Sequence, residues 1–260
     1  MKNSVRVALL ASLIVCIPLT LAAQQSQDDT ARQVLQNAVS ASLPSSSQIP
    51  DSVSTGSISY FWASQKVDGS VTISTKGTAK VSFATSLSDG SKRNWIVNNT
   101  AGVSKVSGQP DAKIQRSSAL SLASFNIPAV KAVQVLQDTT MKISYMGVTT
   151  KNEHTFHRIR AQKTFGKDDA AATGNKNLLI DFLVDPQTLQ ILRIEVRFAS
   201  PSTDQIPDEA YVFTYSDYRT QNGYLLPFQI QEDVNGQRVW TVQLDSVDCN
   251  QSVSDSIFTF

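Results

Sequence analysis

Cysteine and histidine are nearly absent from this chain of 260 residues, which has two of each. Two cysteines cannot build the disulfide lattice of a small secreted scaffold. Two imidazoles leave little room for histidine-based metal sites or general-base catalysis. His154 and His157 lie three apart in a segment that reads as a strand, so they project to opposite faces and cannot share a metal ion. Glycine (11 residues) and proline (9) are sparse and without period, which excludes collagen-like and low-complexity chains. Charge is also in short supply, with 17% of residues charged and 23 Lys+Arg set against 22 Asp+Glu. That balance argues against a nucleic-acid partner, which needs clustered Lys and Arg. No polybasic segment is present to hold the chain on anionic lipid.

Catalytic signatures are missing too. There is no Gly-x-Ser-x-Gly elbow, no Ser-x-x-Lys, no phosphate-cradling Gly-rich loop with Lys and no His-Glu-x-x-His. The carboxylate doublets Asp168-Asp169, Asp208-Glu209 and Glu232-Asp233 are adjacent in sequence, an arrangement that usually leaves both groups solvated, and no EF-hand loop surrounds them. The sequence therefore names no catalytic residue, no metal ligand and no cofactor.

One apolar run is long, from Val7 to Leu21, preceded by Lys2 and Arg6 and closed by Ala22-Ala23. A basic start, an apolar centre of this length and small residues at the end read as a secretory signal peptide over residues 1–23. The run is short for a bilayer, which needs about 20 residues, and a polar stretch follows it. The expected product is an exported protein whose single domain spans 24–260. Without the signal the chain carries 21 bases and 22 acids, a net charge of −1. Cys249 is then the one remaining cysteine, read as a buried, inert thiol.

Thr30-Ala31-Arg32-Gln33 has the pattern of a capping box, which predicts a helix starting there, burying Ala31, Val34, Leu35, Ala38 and Val39, and stopping before Pro44. From Ile58 the hydrophobic period changes to two. Ile58, Tyr60 and Trp62 alternate with Ser57, Ser59 and Phe61, and the same period of two runs through Val71 and Ile73, Val81 and Phe83, and Trp95 and Val97, with turns at Asp68-Gly69, Lys76-Gly77 and Asp89-Gly90. A helix opening on Pro128 and running to Leu136 interrupts the strands, and residues 167–175 read as a loop. Alternation then returns in Leu178, Ile180, Phe182 and Val184; in Leu192, Ile194, Val196 and Phe198; and in Tyr211, Phe213 and Tyr215. Leu226, Phe228 and Ile230 follow, with Pro227 marking an edge or a bulge, and Asn235-Gly236 turns the chain into Trp240, Val242 and Leu244. The pattern predicts an α+β fold. It is built on one long antiparallel sheet of ten or eleven strands, with two or three helices.

One face of that sheet is loaded with aromatic side chains. The predicted lining comprises Trp62, Phe83, Trp95, Phe182, Phe198, Phe213, Phe228 and Trp240. A long curved sheet has more apolar area than a few short helices can cover, which points to an internal pocket suited to acyl chains, each buried methylene contributing about 0.8 kcal/mol. The strings Leu183-Val-Asp-Pro-Gln-Thr-Leu-Gln-Ile-Leu192, Tyr215-Ser-Asp-Tyr-Arg-Thr-Gln-Asn-Gly-Tyr-Leu-Leu-Pro-Phe228 and Asn250-Gln-Ser-Val-Ser-Asp-Ser-Ile-Phe258 resemble those of exported bacterial proteins of the LolA, LolB and RseB superfamily. The resemblance covers residues 178–258 and carries over no individual binding residue, while the loops around 107–126 and 166–176 look longer than a minimal carrier needs. It implies a half-open barrel closed by helices, with the acyl chains of a lipid or lipoprotein as ligand and envelope proteins as the other class of partner. The alternative is a protein-interaction module of the cell envelope without a lipid ligand.

Overall fold

The computed structural model describes residues 17–44, 50–62, 65–151, 153–166, 177–199 and 210–260. The loop expected at 167–175 and most of the expected signal peptide lie outside them. Helix α1 (Ile17–Ser42) is continuous, so the predicted start at Thr30 is corrected: Thr30 is an interior residue. The reason is local. The Leu, Ala and Gln residues between Leu19 and Gln27 favour helix, so the chain arrives at Thr30 already wound. The end before Pro44 and the buried face of Ala31, Leu35, Ala38 and Val39 are as the periodicity predicted. Among the described residues no helix is long and apolar enough to cross a membrane.

Among the described residues, thirteen strands form one antiparallel sheet. Six of them, β1 (Ser52–Trp62), β2 (Gln65–Lys76), β3 (Lys80–Leu87), β4 (Lys92–Asn98), β5 (Ala101–Val106) and β6 (Ala112–Ile114), step from the middle of the sheet to one edge. Helices α2 (Arg116–Leu122) and α3 (Pro128–Gln137) then carry the chain to the opposite edge. From there β7 (Lys142–Lys151), β8 (His154–Thr164), β9 (Asn177–Val184) and β10 (Ile191–Ala199) step back inward. They are followed by β11 (Ala210–Gln221), β12 (Tyr224–Val234) and β13 (Gln237–Cys249), which pairs with β1. Strands β6 and β7 remain the two free edges of a half-open barrel. The stretch read as loop before residue 126 thus holds a strand and a helix. Three residues in β6 and seven in α2 are too few to show a period.

Helix α2 lies against β4 and β5, while α3 lies against α1 and β10, so together they span the concave face. Neither helix has a side-chain N-cap. Instead the ammonium group of Lys131 on α3, 1% exposed, donates to the carbonyl oxygens of Leu120 and Ala123 at the end of α2 and to Gln134 Oε1. Those orphan carbonyls are where a cation best complements a helix C-terminus. Burial pushes the pKa of Lys131 down to about 7, and three acceptors fit the three N–H bonds of the charged form.

Pro227 lies at a locally free edge and not at a bulge: it pairs with Tyr218 in unbroken register with β11, in a part of β12 that lies outside its pairing with β13. A bulge does lie in the β1–β13 seam, where the register steps from Thr55↔Ser246 to Gly56↔Leu244. A Cβ on Gly56 would stand 2.2 Å from the backbone oxygen of Gln243. Gly56→Ala is therefore expected to lower stability by about 2 to 3 kcal/mol through forced backbone displacement, measured as the midpoint shift in urea unfolding.

Candidate functional site

Register carries one row of side chains across the concave face. Tyr60 pairs with Trp240, Trp240 with Glu232, Glu232 with Phe213, Phe213 with Ile194, Ile194 with Phe182 and Phe182 with Ile159. Beside this row Phe83 and Trp95 pair across β3 and β4 and stack at 4.9 Å between centroids. Phe83 also meets Trp240 at 5.4 Å.

Phe125, from the turn between α2 and α3, fills the centre of these rings. Its centroid lies 5.2 Å from Trp95, 5.4 Å from Phe213, 5.7 Å from Phe83 and 5.8 Å from Trp240. Two hydrogen bonds hold the turn down. Tyr215 Oη donates to the carbonyl of Phe125 at 2.7 Å, and Ser124 Oγ donates to the carbonyl of Thr78 at 2.8 Å. Burial drives the Tyr215 phenol well above its ordinary pKa, so it remains a donor at all physiological pH values. Sequence reasoning missed Phe125. The signal was the small and apolar run from Ala119 to Ile127 directly ahead of the helix-starting Pro128.

The eight residues predicted to line the pocket are distributed unevenly. Phe83, Phe213 and Trp240 are buried in the aromatic centre, and Trp95 is half-buried beside them. Phe182 and Phe198 are buried further along the same face, the latter edge-on to Tyr211 at 6.0 Å. Phe228 is buried in the part of β12 that pairs with β11 alone, with the Arg219 guanidinium 4.4 Å from its ring centroid. Trp62 is not buried with the others but 62% exposed at the rim: pairing with β13 ends at Tyr60, β1 continues only against β2, and the Arg93 guanidinium, 4.6 Å from the ring centroid, covers one face of the indole. The aromatic centre is plugged by Phe125. The two cavities described lie elsewhere, one of about 460 Å³ between α1 and α3 beside Gln33, Asn37, Val133 and Leu136, the other of about 330 Å³ beside Ser86, Lys92, Asn94 and Lys105. More of the apolar wall is covered than periodicity implied, because α2 and its turn supply a lid where a loop was expected.

Among the rings sits one carboxyl group. Glu232 is 7% exposed between Phe213 and Trp240; burial raises its pKa to about 7, with Asp233 adding to the rise and a hydrogen bond from the Trp240 indole opposing it. The opposite face of the sheet differs in character. There Asp181 and Glu195, 1% and 3% exposed, are held by Arg158, Arg160, Arg193, Arg197 and Lys151. Burial alone would raise both carboxyl pKa values, and hydrogen bonds from the surrounding cations outweigh it and hold them below the usual range. Cys249 is buried and free, its thiol pushed up to about 11 by burial and by Asp248 and Asp51. No group of three or more His, Cys, Asp or Glu side chains among the described residues could hold a metal ion.

No protein-family model and no curated protein matches the chain. Solved structures share its fold. An outer membrane lipoprotein-sorting protein domain from Vibrio parahaemolyticus superposes with a TM-score of 0.56 at 8% identity, covering 89% of this chain and 97% of its own. A LolA superfamily protein from Nitrosomonas europaea gives 0.55 at 10% identity, with coverages of 88% and 97%. A DUF1329 family protein from Desulfovibrio piger gives 0.53 at 13% identity, with coverages of 90% and 97%. The class this defines is the LolA-like half-open barrel, and the chain has that fold over nearly its whole described length.

Glu232 makes a prediction about stability against pH. Its folded pKa, about 7, lies above the unfolded value near 4.5, so its cost is absent below pH 4.5, grows between 4.5 and 7, and is complete above 7. Glu232→Gln is expected to be more stable than the unsubstituted protein by up to about 3 kcal/mol at pH 8 and to lose that advantage at pH 4.5, read from urea midpoints across this range.

Proposed function

We propose that the protein is an exported, periplasmic carrier or sensor that holds the acyl chains of a lipid or lipoprotein on its concave face, and that it works by binding and not by catalysis. The observation that supports this most is the aromatic centre under Phe125. It is a wall of buried rings covered by a lid that is itself apolar at its tip, so an acyl chain can replace the Phe125 ring, with the Tyr215 hydroxyl the one buried donor whose fastening bond is given up. The fold, shared with a lipoprotein-sorting domain and a LolA superfamily protein, supports the same reading. Export rests on the basic and apolar character of residues 1–23.

On this reading the closed form is the empty state and uptake begins with withdrawal of the α2–α3 turn. Few polar contacts fasten that turn to the sheet, chiefly those of Tyr215 and Ser124. The filled centre also favours a second reading, in which the barrel is a scaffold and recognition occurs at the free edge strand β7, where Met146 and Val148 are 46% and 61% exposed.

Two measurements separate these readings. Protein purified from native membranes should carry lipid detectable by mass spectrometry, and delipidated protein should take up a fluorescent fatty acid. Tyr215→Phe, which removes one fastening hydrogen bond, should speed uptake by about five- to tenfold. Absence of both lipid and uptake, with a partner crosslinked through β7, would replace the carrier by the scaffold.

A further inference from the structure

One cationic side chain stands at the rim of the same concave face. Arg93 on β4 pairs with Thr85 and Val106, two residues before Trp95, and therefore projects to the side that carries Phe83 and Trp95. Its guanidinium carbon lies 4.6 Å from the ring centroid of Trp62 and 5.3 Å from that of Tyr60. Stacking on two rings fixes the plane of the group and hence the directions of its five N–H bonds. Arg93 Nε is buried and has no hydrogen-bond partner. An unmet buried donor on a charged group is costly, and native structures retain one where a ligand completes it.

The surroundings state what that ligand is. On one side the site opens to solvent past Trp62 and Phe61, which are 62% and 38% exposed at the tip of the β1–β2 hairpin. On the other side Trp95 leads to Phe83 and Phe125, into the aromatic centre. A planar fork of donors at a wet rim, continuous with an apolar wall, matches an anion attached to an acyl chain. We propose that Arg93, braced by Tyr60 and Trp62, binds the anionic headgroup, carboxylate or phosphate, of the amphiphile whose chain enters beneath the lid. This inference rests on the carrier reading and specifies its ligand class and polarity of entry.

The test compares a fluorescent fatty acid with its methyl ester of the same chain length, titrated into the full-length protein and into Arg93→Gln and Arg93→Lys. The unsubstituted protein should bind the acid about tenfold more tightly than the ester, Arg93→Gln should reduce that ratio to about one while leaving ester affinity unchanged, and Arg93→Lys should keep part of it. Unchanged ester affinity reports that the variants are folded. Equal binding of acid and ester by the unsubstituted protein, or a ratio unaffected by Arg93→Gln, overturns the headgroup assignment and leaves the carrier reading standing. Binding of neither probe by the unsubstituted protein overturns both. Millimolar inorganic phosphate should not displace the acid; displacement would reassign Arg93 to a free anion and overturn the proposal.

Discussion

A sheet of thirteen strands with one apolar face cannot be left uncovered in water, and the arrangement of the helices answers that need. The chain solves it with its connections. Helix α1 arrives before the first strand and lies over β7, β8 and β12, and the crossing from one edge to the other lays α2 and α3 over the remainder. Burial supplies the energy, at roughly 25 cal/mol for each Å² of apolar surface removed from water. Direction comes from a few polar contacts set into the apolar layer: Lys131 joining α2 to α3, Tyr215 and Ser124 tying their turn to the sheet. Apolar contact is nondirectional, so these contacts determine where the cover sits.

The two faces divide the work. On the convex side the buried carboxylates of Asp181 and Glu195 alternate with the apolar residues facing inward, and their cations come from β7, β8 and β10. A slip of one residue in β9 or β10 would turn Asp181 or Glu195 into the aromatic interior and expose Phe182 or Ile194, so the ion pairs and the hydrophobic pattern enforce one register. Glu232 is the exception on the concave side: a carboxyl among rings, without a cation in its hydrogen-bond set. Its burial is a cost to stability that the fold carries at neutral pH.

Much of this was legible in the sequence. Alternation in Leu178–Val184 and Ile194–Phe198 defined the inward faces of β9 and β10, and the register places Phe182 and Ile194 side by side; a shift between Ile191 and Arg193, invisible to periodicity, brings Ile191 opposite Val184 in place of the expected Leu192. The helix opening on Pro128 and the stop before Pro44 followed from proline's fixed geometry. What stayed hidden has physical reasons. Short elements such as β6 and α2 carry no measurable period, and Phe125 gains its role from partners about 30 to 115 residues away that no local pattern reveals. Trp62 obeys the alternation of β1, yet where a neighbouring strand ends is a property of the sheet and not of β1 itself. Thr30 shows the converse, a correct capping pattern overridden by good helix formers upstream.

The seam between β1 and β13 sets the order in which the molecule can be made. Thr55 touches Ser246, 191 residues later, so the first strand waits for the last one. During synthesis β1 through β6 have the means to form hairpins, but their inner edge stays unpaired and their apolar face lacks α1, whose main contacts lie in the second half. Loop closure over that distance makes the final step slow compared with hairpin formation. A nascent chain of this design is sticky until its C-terminal strand emerges, which makes chaperone protection of the incomplete chain, and delayed folding until synthesis has finished, consequences of topology alone.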